Sequence, residues 1–522
     1  MDERADLQAL WQQANRHAEQ REWDQAKACF NAILARRPDD PAVLTQLSYV
    51  CSLAGQYRAA RAAALRASTW QRPIPPAVLR QLLPRLRTFN EARLFHRLLD
   101  RLGPPDRMPI PMLLACAAQL SYFNQQERAL ALLDEARNAD PDYPATLMSR
   151  GQVLTYLARF DEAEQDLLHS MQRAPEFAQV YWLLSRLRKQ TPEHNHVAQV
   201  RAELARPGRT PADLALLGFA LHKELDDLGD HAGAAQALDQ ACRAKRSLLD
   251  YHPDESRRLV DALIAFEPPA AAARAPRDVP GERTPLFIVG MHRSGTTLLE
   301  QLLDGHTQVQ GVGELYDFTA QMRYATDHHC RGVIDETIAT RAGGVDFGSV
   351  GRGYLDGLEW RLGDSRCFTD KLPSNFLNLG FICSALPQAR ILHMVRDPVE
   401  VCFSNLRELF SDANPYSYDQ LELAAYYRQY QRLMAHWRRH WGDRILDIDY
   451  TELTRDPETV MRRVVAFCGL DFEPAMMALQ ARTRGVATAS AVQVRDGIVA
   501  REQPKWKPYE EYLQPLVAAL DR

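Results

Sequence analysis

The sequence contains no uninterrupted apolar run that is long enough to cross a bilayer. A transmembrane helix needs about 20 consecutive apolar residues, and no run in this chain of 522 residues approaches that length. The opening segment, MDERADLQALWQQ, carries acidic residues where a secretory signal would be basic. We therefore expect a cytoplasmic protein that has no membrane partner.

Cysteine is scarce and follows no metal-binding pattern. The nine cysteines are an odd number, and no two of them form a C-x-x-C pair. Isolated thiols in apolar segments favour a reducing compartment over a disulfide framework or a zinc site. The formal net charge of −4 gives no general reason to expect nucleic acid as a partner.

The first half of the chain repeats itself with a step of 34 residues, which links Ala26 to Ala60 and Ala129 to Ala163. Small residues at the point where two helices touch, with proline after the second helix, resemble the tetratricopeptide repeat. The resemblance implies an all-α solenoid of helix pairs over residues 1–266. The concave face of such a solenoid is usually a binding surface, so we expect a protein or peptide partner there.

A second domain follows a break in the pattern. Residues 267–284, rich in proline, alanine and charge, indicate a linker. Over residues 285–522, four apolar runs alternate with helical patterns: PLFIVG, RCFTDK, ARILHMVRD and RILDIDY. This alternation predicts an α/β domain with a parallel sheet, helices on both faces and ligands at the carboxyl ends of the strands. We expect this domain to fold without the repeats.

The first of these runs ends in a turn bounded by glycines. In LFIVGMHRSGTTLLEQLL, Gly290 and Gly295 separate a strand from a helix, so backbone N–H groups and the helix dipole point at one anion. The spacing is P-loop-like, G-x-x-x-x-G-K-[ST], except that Thr296 replaces the lysine that would hold a transferring γ-phosphate. With no acidic strand end placed to bring Mg²⁺, the turn fits a multiply charged nucleotide better than ATP hydrolysis.

Two motifs resemble one known family. RSGTTLLEQLLDGH and RILHMVRDPVEVCFSN are similar to the donor-binding motifs of the sulfotransferases that use 3′-phosphoadenosine 5′-phosphosulfate, and the first is closest to the tyrosylprotein-sulfotransferase branch. They stand in the family's order, about a hundred residues apart. The resemblance covers most of residues 285–516 and implies sulfuryl transfer from this co-substrate to an acceptor hydroxyl, without a metal.

The resemblance also implies which residues bind the donor. The loop that would hold the 5′-phosphosulfate consists of Arg293, Ser294, Gly295, Thr296 and Thr297. The 3′-phosphate would be bound by Arg396, whose guanidinium fork suits a phosphate, and by Ser404. DIDYTELTRDPE is similar to the strand end that carries a nucleotide contact, here Tyr450, and TASAVQVR followed by PKW is similar to a closing segment that includes Ser490 and Lys505.

Catalytic roles follow from the same resemblance. Glu314, in VQGVGELYDF, stands where the family has its base, and a carboxylate there could accept the hydroxyl proton. Lys371 matches the lysine placed against the bridging oxygen of the donor, and Ser490 matches a serine in a similar role. His292 and His306 are the alternative bases, although loop shaping and helix capping are the roles that we favour for them.

Two departures from the family pattern bear on donor binding. Four residues past the phosphate-binding serine the tyrosylprotein branch has an arginine, whereas this chain has Glu408 with Arg407 beside it. The closing segment reads REQPKW and lacks the family's glycine. Both changes leave the donor contacts at these places open.

Several alternatives remain at this point. The acceptor could be a peptide tyrosine, another protein hydroxyl, a glycan or a small metabolite, and nothing in the sequence excludes a homodimer. Rival functions are a P-loop kinase or NTPase, disfavoured by the missing lysine, and an interaction scaffold that has lost catalysis. Arg293, Arg396, Ser404, Lys371 and Glu314 are all present, which argues against the scaffold.

Overall fold

The computed structural model describes residues 3–269, 283–479, 485, 492, 497–500 and 503–521. Its first part is helical, as the repeat pattern predicts. The helices of this part are α1 Glu3–Glu19, α2 Trp23–Arg36, α3 Pro41–Leu53, α4 Tyr57–Ser68, α5 Pro76–Thr88, α6 Ala92–Asp100, α7 Ile110–Tyr122, α8 Gln126–Ala139, α9 Pro144–Tyr156, α10 Phe160–Arg173, α11 Ala178–Leu187, α12 Val197–Leu204, α13 Pro211–Asp227, α14 His231–Arg246 and α15 Pro253–Ile264. Most of the predicted linker, residues 270–282, lies outside the described residues.

Small residues hold the helix pairs together. The repeat alanines, Ala26, Ala60, Ala129 and Ala163, are all fully buried. At Gly151 a Cβ atom would lie only 2.6 Å from Leu167 Cγ, which shows how closely α9 and α10 approach. The small positions of the repeat therefore mark the helix crossings, and the predicted solenoid of helix pairs is confirmed.

The second part is an α/β domain built on one parallel sheet. Its strands are β1 Thr284–Gly290, β2 Val309–Gln310, β3 Cys367–Asp370, β4 Arg390–Val395 and β5 Ile445–Asp449. Its helices are α16 Thr296–Leu303, α17 Asp317–Thr326, α18 Glu336–Arg341, α19 Phe347–Leu358, α20 Leu379–Ala385, α21 Pro398–Leu406, α22 Gln420–Trp441, α23 Tyr450–Arg455, α24 Pro457–Phe467 and α25 Gln514–Leu520.

The strand order is β2-β3-β1-β4-β5, and every pairing is parallel. The carboxyl ends of the strands therefore lie at one edge, where Gly290 is in register with Met394 and Val395 with Asp449. The four predicted strands and the predicted fold class are confirmed. The sequence pattern did not predict β2, because two residues show no period.

One apolar core joins the two parts of the chain. Residues of α13 and α14, such as Phe219 and Leu238, belong to the same buried cluster as Phe381 and Leu433 of the α/β domain. Phe266, just after α15, lies edge-on against Phe381, with ring centroids 4.8 Å apart. Removing the solenoid would expose this surface to water, and the predicted independent folding of the second domain would have to tolerate that exposure.

Polar contacts reinforce this junction. Asp226 of α13 accepts hydrogen bonds from Arg407 and from the Tyr509 hydroxyl. Arg246 of α14 donates two hydrogen bonds to Glu422 of α22, at 2.8 and 2.9 Å. Charged side chains of the repeats are thus paired with the second domain as well as with each other.

The cysteines and the helices bear on two expectations from the sequence, one about disulfides and one about membrane spans. All nine cysteines fall within the described residues, and each is a buried thiol outside any disulfide. Across the described ranges, none of the helices has the length and apolar character of a membrane span.

We expect Phe266→Ala to weaken the junction between the two parts of the chain. The change removes a ring that is only 8% exposed and leaves a cavity beside Phe381, which should cost about 3 kcal/mol of unfolding free energy. Urea unfolding followed by circular dichroism measures the shift. Leu53→Ala, at a side chain that is 64% exposed, is the matched control and should change little. Equal shifts for the two variants would contradict the shared core.

Candidate active site

The turn after β1 has the backbone geometry of an anion-binding loop. Gly290 and Gly295 have φ values of 147° and 106°, and Arg293 has φ of 68°, which is unusual for a residue with a side chain. At Gly295 a Cβ atom would lie 2.8 Å from Tyr450 Cε2, so a larger residue does not fit. Strained backbone of this kind concentrates at functional sites, which makes the turn a candidate.

The hydroxyl groups of the turn are buried. Ser294, Thr296 and Thr297 are each less than a tenth exposed, and the two threonines begin α16. Ser294 Oγ has no hydrogen-bond partner within the described part of the chain. A buried hydroxyl without a partner costs free energy, and an oxyanion in the turn would satisfy it.

Arg396, at the end of β4, is held against the turn by three neighbours. Its Nη1 donates to the carbonyl oxygen of Arg293 at 3.0 Å, and its Nη2 donates to Glu400 Oε2 at 2.8 Å. Its guanidinium lies over the ring of Tyr450, 4.5 Å from the centroid. The backbone N–H of Lys505 donates to the other oxygen of Glu400 at 2.6 Å. The predicted residues Arg396, Tyr450 and Lys505 therefore meet in one place.

Ser404 and Glu408 flank the side chain of Arg293. Arg293 Nε donates to Ser404 Oγ at 3.4 Å, and Arg293 Nη1 lies 3.6 Å from Glu408 Oε2. Glu408 also pairs with Arg186 of α11, whose Nη1 is 2.8 Å from Oε1. Arg407 points elsewhere, to Asp226. Position 408, where the resemblance to the tyrosylprotein branch implies an arginine, thus carries a carboxylate that bridges two arginines.

The electrostatics of this cluster follow from crowding of like charges. Burial lowers the pKa of the Arg293 guanidinium, and Glu408 partly opposes that shift. Three neighbouring guanidinium groups lower it further, those of Arg186, Arg396 and Arg407. Several cations around one buried point attract an anion.

Glu314 and Lys371 form an ion pair at the neighbouring strand end. Lys371 Nζ donates to Glu314 Oε1 at 2.6 Å. The lysine side chain is 1% exposed, whereas that of Glu314 is 31% exposed. The carboxylate is therefore partly accessible to an incoming molecule, while the lysine side chain is almost fully buried beside it. Two of the three predicted catalytic residues, Glu314 and Lys371, therefore lie together although they are 57 positions apart in sequence.

The loop that carries Glu314 is fixed from two sides. Buried Glu300 of α16 accepts hydrogen bonds from the Gly313 N–H at 2.8 Å and from Thr369 Oγ1 at 2.9 Å. Asn124, in the turn after α7, donates to the carbonyl oxygens of Val312 and Glu314 at 3.2 and 3.4 Å. A buried glutamate within TTLLEQLL is a sequence signal for the first support. The second has no local signal, because Asn124 belongs to the solenoid.

The two histidines have different surroundings. His292 has its pKa lowered to about 4, by burial first and then by Lys371 and Arg293, so it is neutral at pH 7. His306 is committed to structure: its Nε2 donates to the Asp471 carbonyl at 2.9 Å, and its Nδ1 accepts from the Gln308 N–H at 3.0 Å. Of the two alternative bases, His292 is therefore the one near the candidate site.

Asp370 is the acidic residue at the end of β3, beside the anion-binding turn. It is fully buried, and burial raises its pKa well above the ordinary value. Oδ2 accepts the Tyr354 hydroxyl at 3.0 Å, and Oδ1 accepts Asn375 Nδ2 at 3.3 Å. An acid whose charged form is disfavoured by burial, and whose two oxygens already accept hydrogen bonds, is a poor ligand for Mg²⁺. Among the residues that the structure describes, no three His, Cys, Asp or Glu side chains form a metal-binding group.

Ser490, the third predicted catalytic residue, lies outside the described residues.

The C-terminal region is similar to a known protein family. Residues 285–474 match the model of the sulfotransferase family. The match is to the family as a whole and does not select the tyrosylprotein branch. An uncharacterized protein of Aquifex aeolicus is 29% identical over 406 residues, which cover 76% of this chain and 53% of that protein. The chain thus spans about half the length of this relative.

Solved structures similar to parts of the chain include both architectures. The sulfotransferase domain of the Synechococcus olefin synthase is 18% identical and covers 46% of this chain and 98% of its own, with a TM-score of 0.28. A tetratricopeptide repeat protein from Parabacteroides merdae is 13% identical and covers 45% of this chain and 92% of its own, with a TM-score of 0.34. Residues 285–474 are thus similar to the sulfotransferase family.

Proposed function

We propose that the protein is a sulfotransferase that moves a sulfuryl group from 3′-phosphoadenosine 5′-phosphosulfate to an acceptor hydroxyl. The observation that carries the proposal is the pair of Glu314 and Lys371, 2.6 Å apart, at the same sheet edge as the anion-binding turn. A base and a cation at one point suit a reaction in which a hydroxyl loses its proton and a bridging oxygen gains charge.

The residues of the turn fit the phosphosulfate end of the donor. Its backbone N–H groups, the start of α16 and the unpartnered Ser294 hydroxyl would bind the sulfuryl and phosphate oxygens. Arg396 and Ser404 would bind the 3′-phosphate, since each lies beside Arg293 and a guanidinium can donate two parallel hydrogen bonds to a phosphate. Tyr450 would keep Arg396 in position through its ring.

Sulfuryl transfer then follows from these positions. The acceptor oxygen forms a bond to sulfur while its proton passes to the Glu314 carboxylate. The bond between sulfur and the bridging oxygen breaks, and the electron pair stays on that oxygen, where Lys371 stabilises the charge. Adenosine 3′,5′-bisphosphate and the sulfated acceptor leave, and Glu314 returns its proton to water.

For the acceptor we propose a hydroxyl on a peptide or protein, with tyrosine as the first candidate. Support comes from the solenoid, whose Asn124 contacts the loop of the proposed base. An acceptor bound to the repeats near this turn would lie beside Glu314. The partly exposed carboxylate leaves room for a hydroxyl to approach.

The direct test is transfer of label. Wild-type protein incubated with radiolabelled sulfuryl donor and a cell extract should label an acceptor that mass spectrometry can identify, and Glu314→Gln should label much less. Magnesium-dependent ATP hydrolysis without sulfuryl transfer would favour a kinase or NTPase instead. Failure to bind adenosine 3′,5′-bisphosphate by calorimetry would favour the inactive scaffold.

Gly295→Ala should abolish most donor binding. The new methyl group would meet the Tyr450 ring, and the backbone would be held in a conformation that only glycine adopts easily. We expect bisphosphate affinity to fall about tenfold or more, as loss of a charge-assisted contact would give. Gly343→Ala is the control, because a Cβ atom there meets nothing within 4 Å. Equal affinities of the two variants would remove the turn from the donor site.

Arg396→Ala should weaken bisphosphate binding by about 1.5–3 kcal/mol, the range of a hydrogen bond to a charged group. Arg293→Ala should have a similar effect, because its side chain contacts Ser404. Calorimetry gives both values. Arg462→Ala, at an exposed arginine of α24, is the matched control. An Arg396→Ala protein that binds as tightly as this control would exclude Arg396 from the phosphate site.

Glu314→Gln and Lys371→Ala should lower turnover far more than donor affinity. Glutamine keeps the shape and removes the basicity, which should reduce kcat by about 10² to 10⁴. Loss of one cation at the leaving oxygen should cost about 10² to 10³. Steady-state kinetics with the identified acceptor, beside calorimetry, separates the two effects. Exposed Glu193→Gln is the control. Near-normal kcat in Glu314→Gln would move the base to His292.

A further inference from the structure

Arg186 brings a charge from the solenoid to the proposed donor site. It lies in the last turn of α11, with its guanidinium 4.7 Å from the centroid of the Trp182 ring. From there Nη1 reaches Glu408 Oε1 at 2.8 Å, across the junction between the two parts of the chain. The side chain of Glu408 is 7% exposed, so water screens this ion pair little.

The negative charge of Glu408 is unfavourable for the binding of an anion at this site. Its Oε2 is 3.6 Å from Arg293 Nη1, and the same arginine donates through Nε to Ser404. A carboxylate at this distance competes with a phosphate for Arg293 and repels the phosphate directly. Donor binding therefore requires that the charge of Glu408 be compensated from another side.

We propose that Arg186 is a positioning residue for donor binding, which holds and neutralises Glu408 so that Arg293 remains available to the nucleotide. The inference rests on the proposed function, because it concerns the same donor site. The distances agree with this division of roles, since the carboxylate is closer to Arg186 than to Arg293. Donor affinity thereby depends on how the solenoid is docked.

Removing Arg186 leaves a buried carboxylate without its nearest counter-ion. A charge that loses its partner in a buried position is strongly unfavourable, so Glu408 would turn to Arg293. The same change in a chain that carries glutamine at position 408 leaves no charge to compensate. The two substitutions are therefore expected to be non-additive, with the second relieving the first.

The experiment measures adenosine 3′,5′-bisphosphate binding by calorimetry in the full-length chain. Arg186→Ala should bind about tenfold more weakly or worse than wild type, the scale of a lost charged contact. Arg186→Lys should keep most of the affinity. Arg186→Ala combined with Glu408→Gln should recover affinity to within a few-fold of wild type. Arg188→Ala is the control, because that neighbouring arginine pairs with Asp161 and Glu164 inside the solenoid.

Kinetics provides a second readout. Because Arg186 acts through donor binding, Arg186→Ala should raise the KM for the donor and leave kcat at saturating donor close to wild type. Thermal melting of each variant shows whether the fold is kept. A purely structural role would lower stability without recovery in the double variant.

The outcomes separate the two proposals. Wild-type affinity in Arg186→Ala would overturn the inference. So would a double variant that binds as weakly as Arg186→Ala, because Arg186 would then act by direct contact or through the fold. A wild-type chain that does not bind the bisphosphate at all would overturn the proposed function, and the inference with it.

Discussion

The guanidinium groups of Arg293, Arg396 and Arg186 lie close together near the carboxyl edge of the sheet. Like charges that are brought together in a partly buried place must be compensated. Arg396 is paired with Glu400, in the first turn of α21. Arg293 is near Glu408, whose carboxylate is in turn bound by Arg186 of the solenoid. The balance of charge at the anion-binding turn thus involves both parts of the chain. The proposed donor, which carries several negative charges, would enter a site whose arginines are already held in place by Glu400 and Glu408.

The loop that carries the proposed base, Glu314, depends on a different kind of support. The loop that carries Glu314 has no regular secondary structure, so its backbone groups need partners from elsewhere. Glu300 accepts the Gly313 N–H, and Asn124 donates to the carbonyl oxygens on either side of Gly313. A base held on a fixed backbone keeps its geometry when substrates exchange, which is what positioned proton transfer requires. Lys371, whose side chain is almost fully buried, follows directly after β3.

Much of this arrangement could be predicted from the sequence, because it follows from local patterns. Strands buried on both faces appear as continuous apolar runs, and parallel strands bring their carboxyl ends to one edge. That is why Arg396 and Lys371, far apart in sequence, could be assigned to one site. The contacts of the solenoid could not be predicted in the same way. Arg186 and Glu408 are separated by 222 positions, and no local period encodes such a pair. The glutamate was visible as a departure from the family pattern, but its partner was not.

The shared core changes what the repeats can do. A solenoid on a flexible tether would present an acceptor at many angles and raise only its local concentration. Here Phe266 is packed inside the α/β domain and Asp226 is bonded to Arg407, so the helix pairs next to the junction have one orientation to the strand ends. Because Asn124 of the same solenoid contacts the Glu314 loop, the turn after α7 adjoins the proposed base. If the proposed function holds, the solenoid forms a wall of the site, and the shape of that wall would decide which hydroxyl can reach the Glu314 carboxylate.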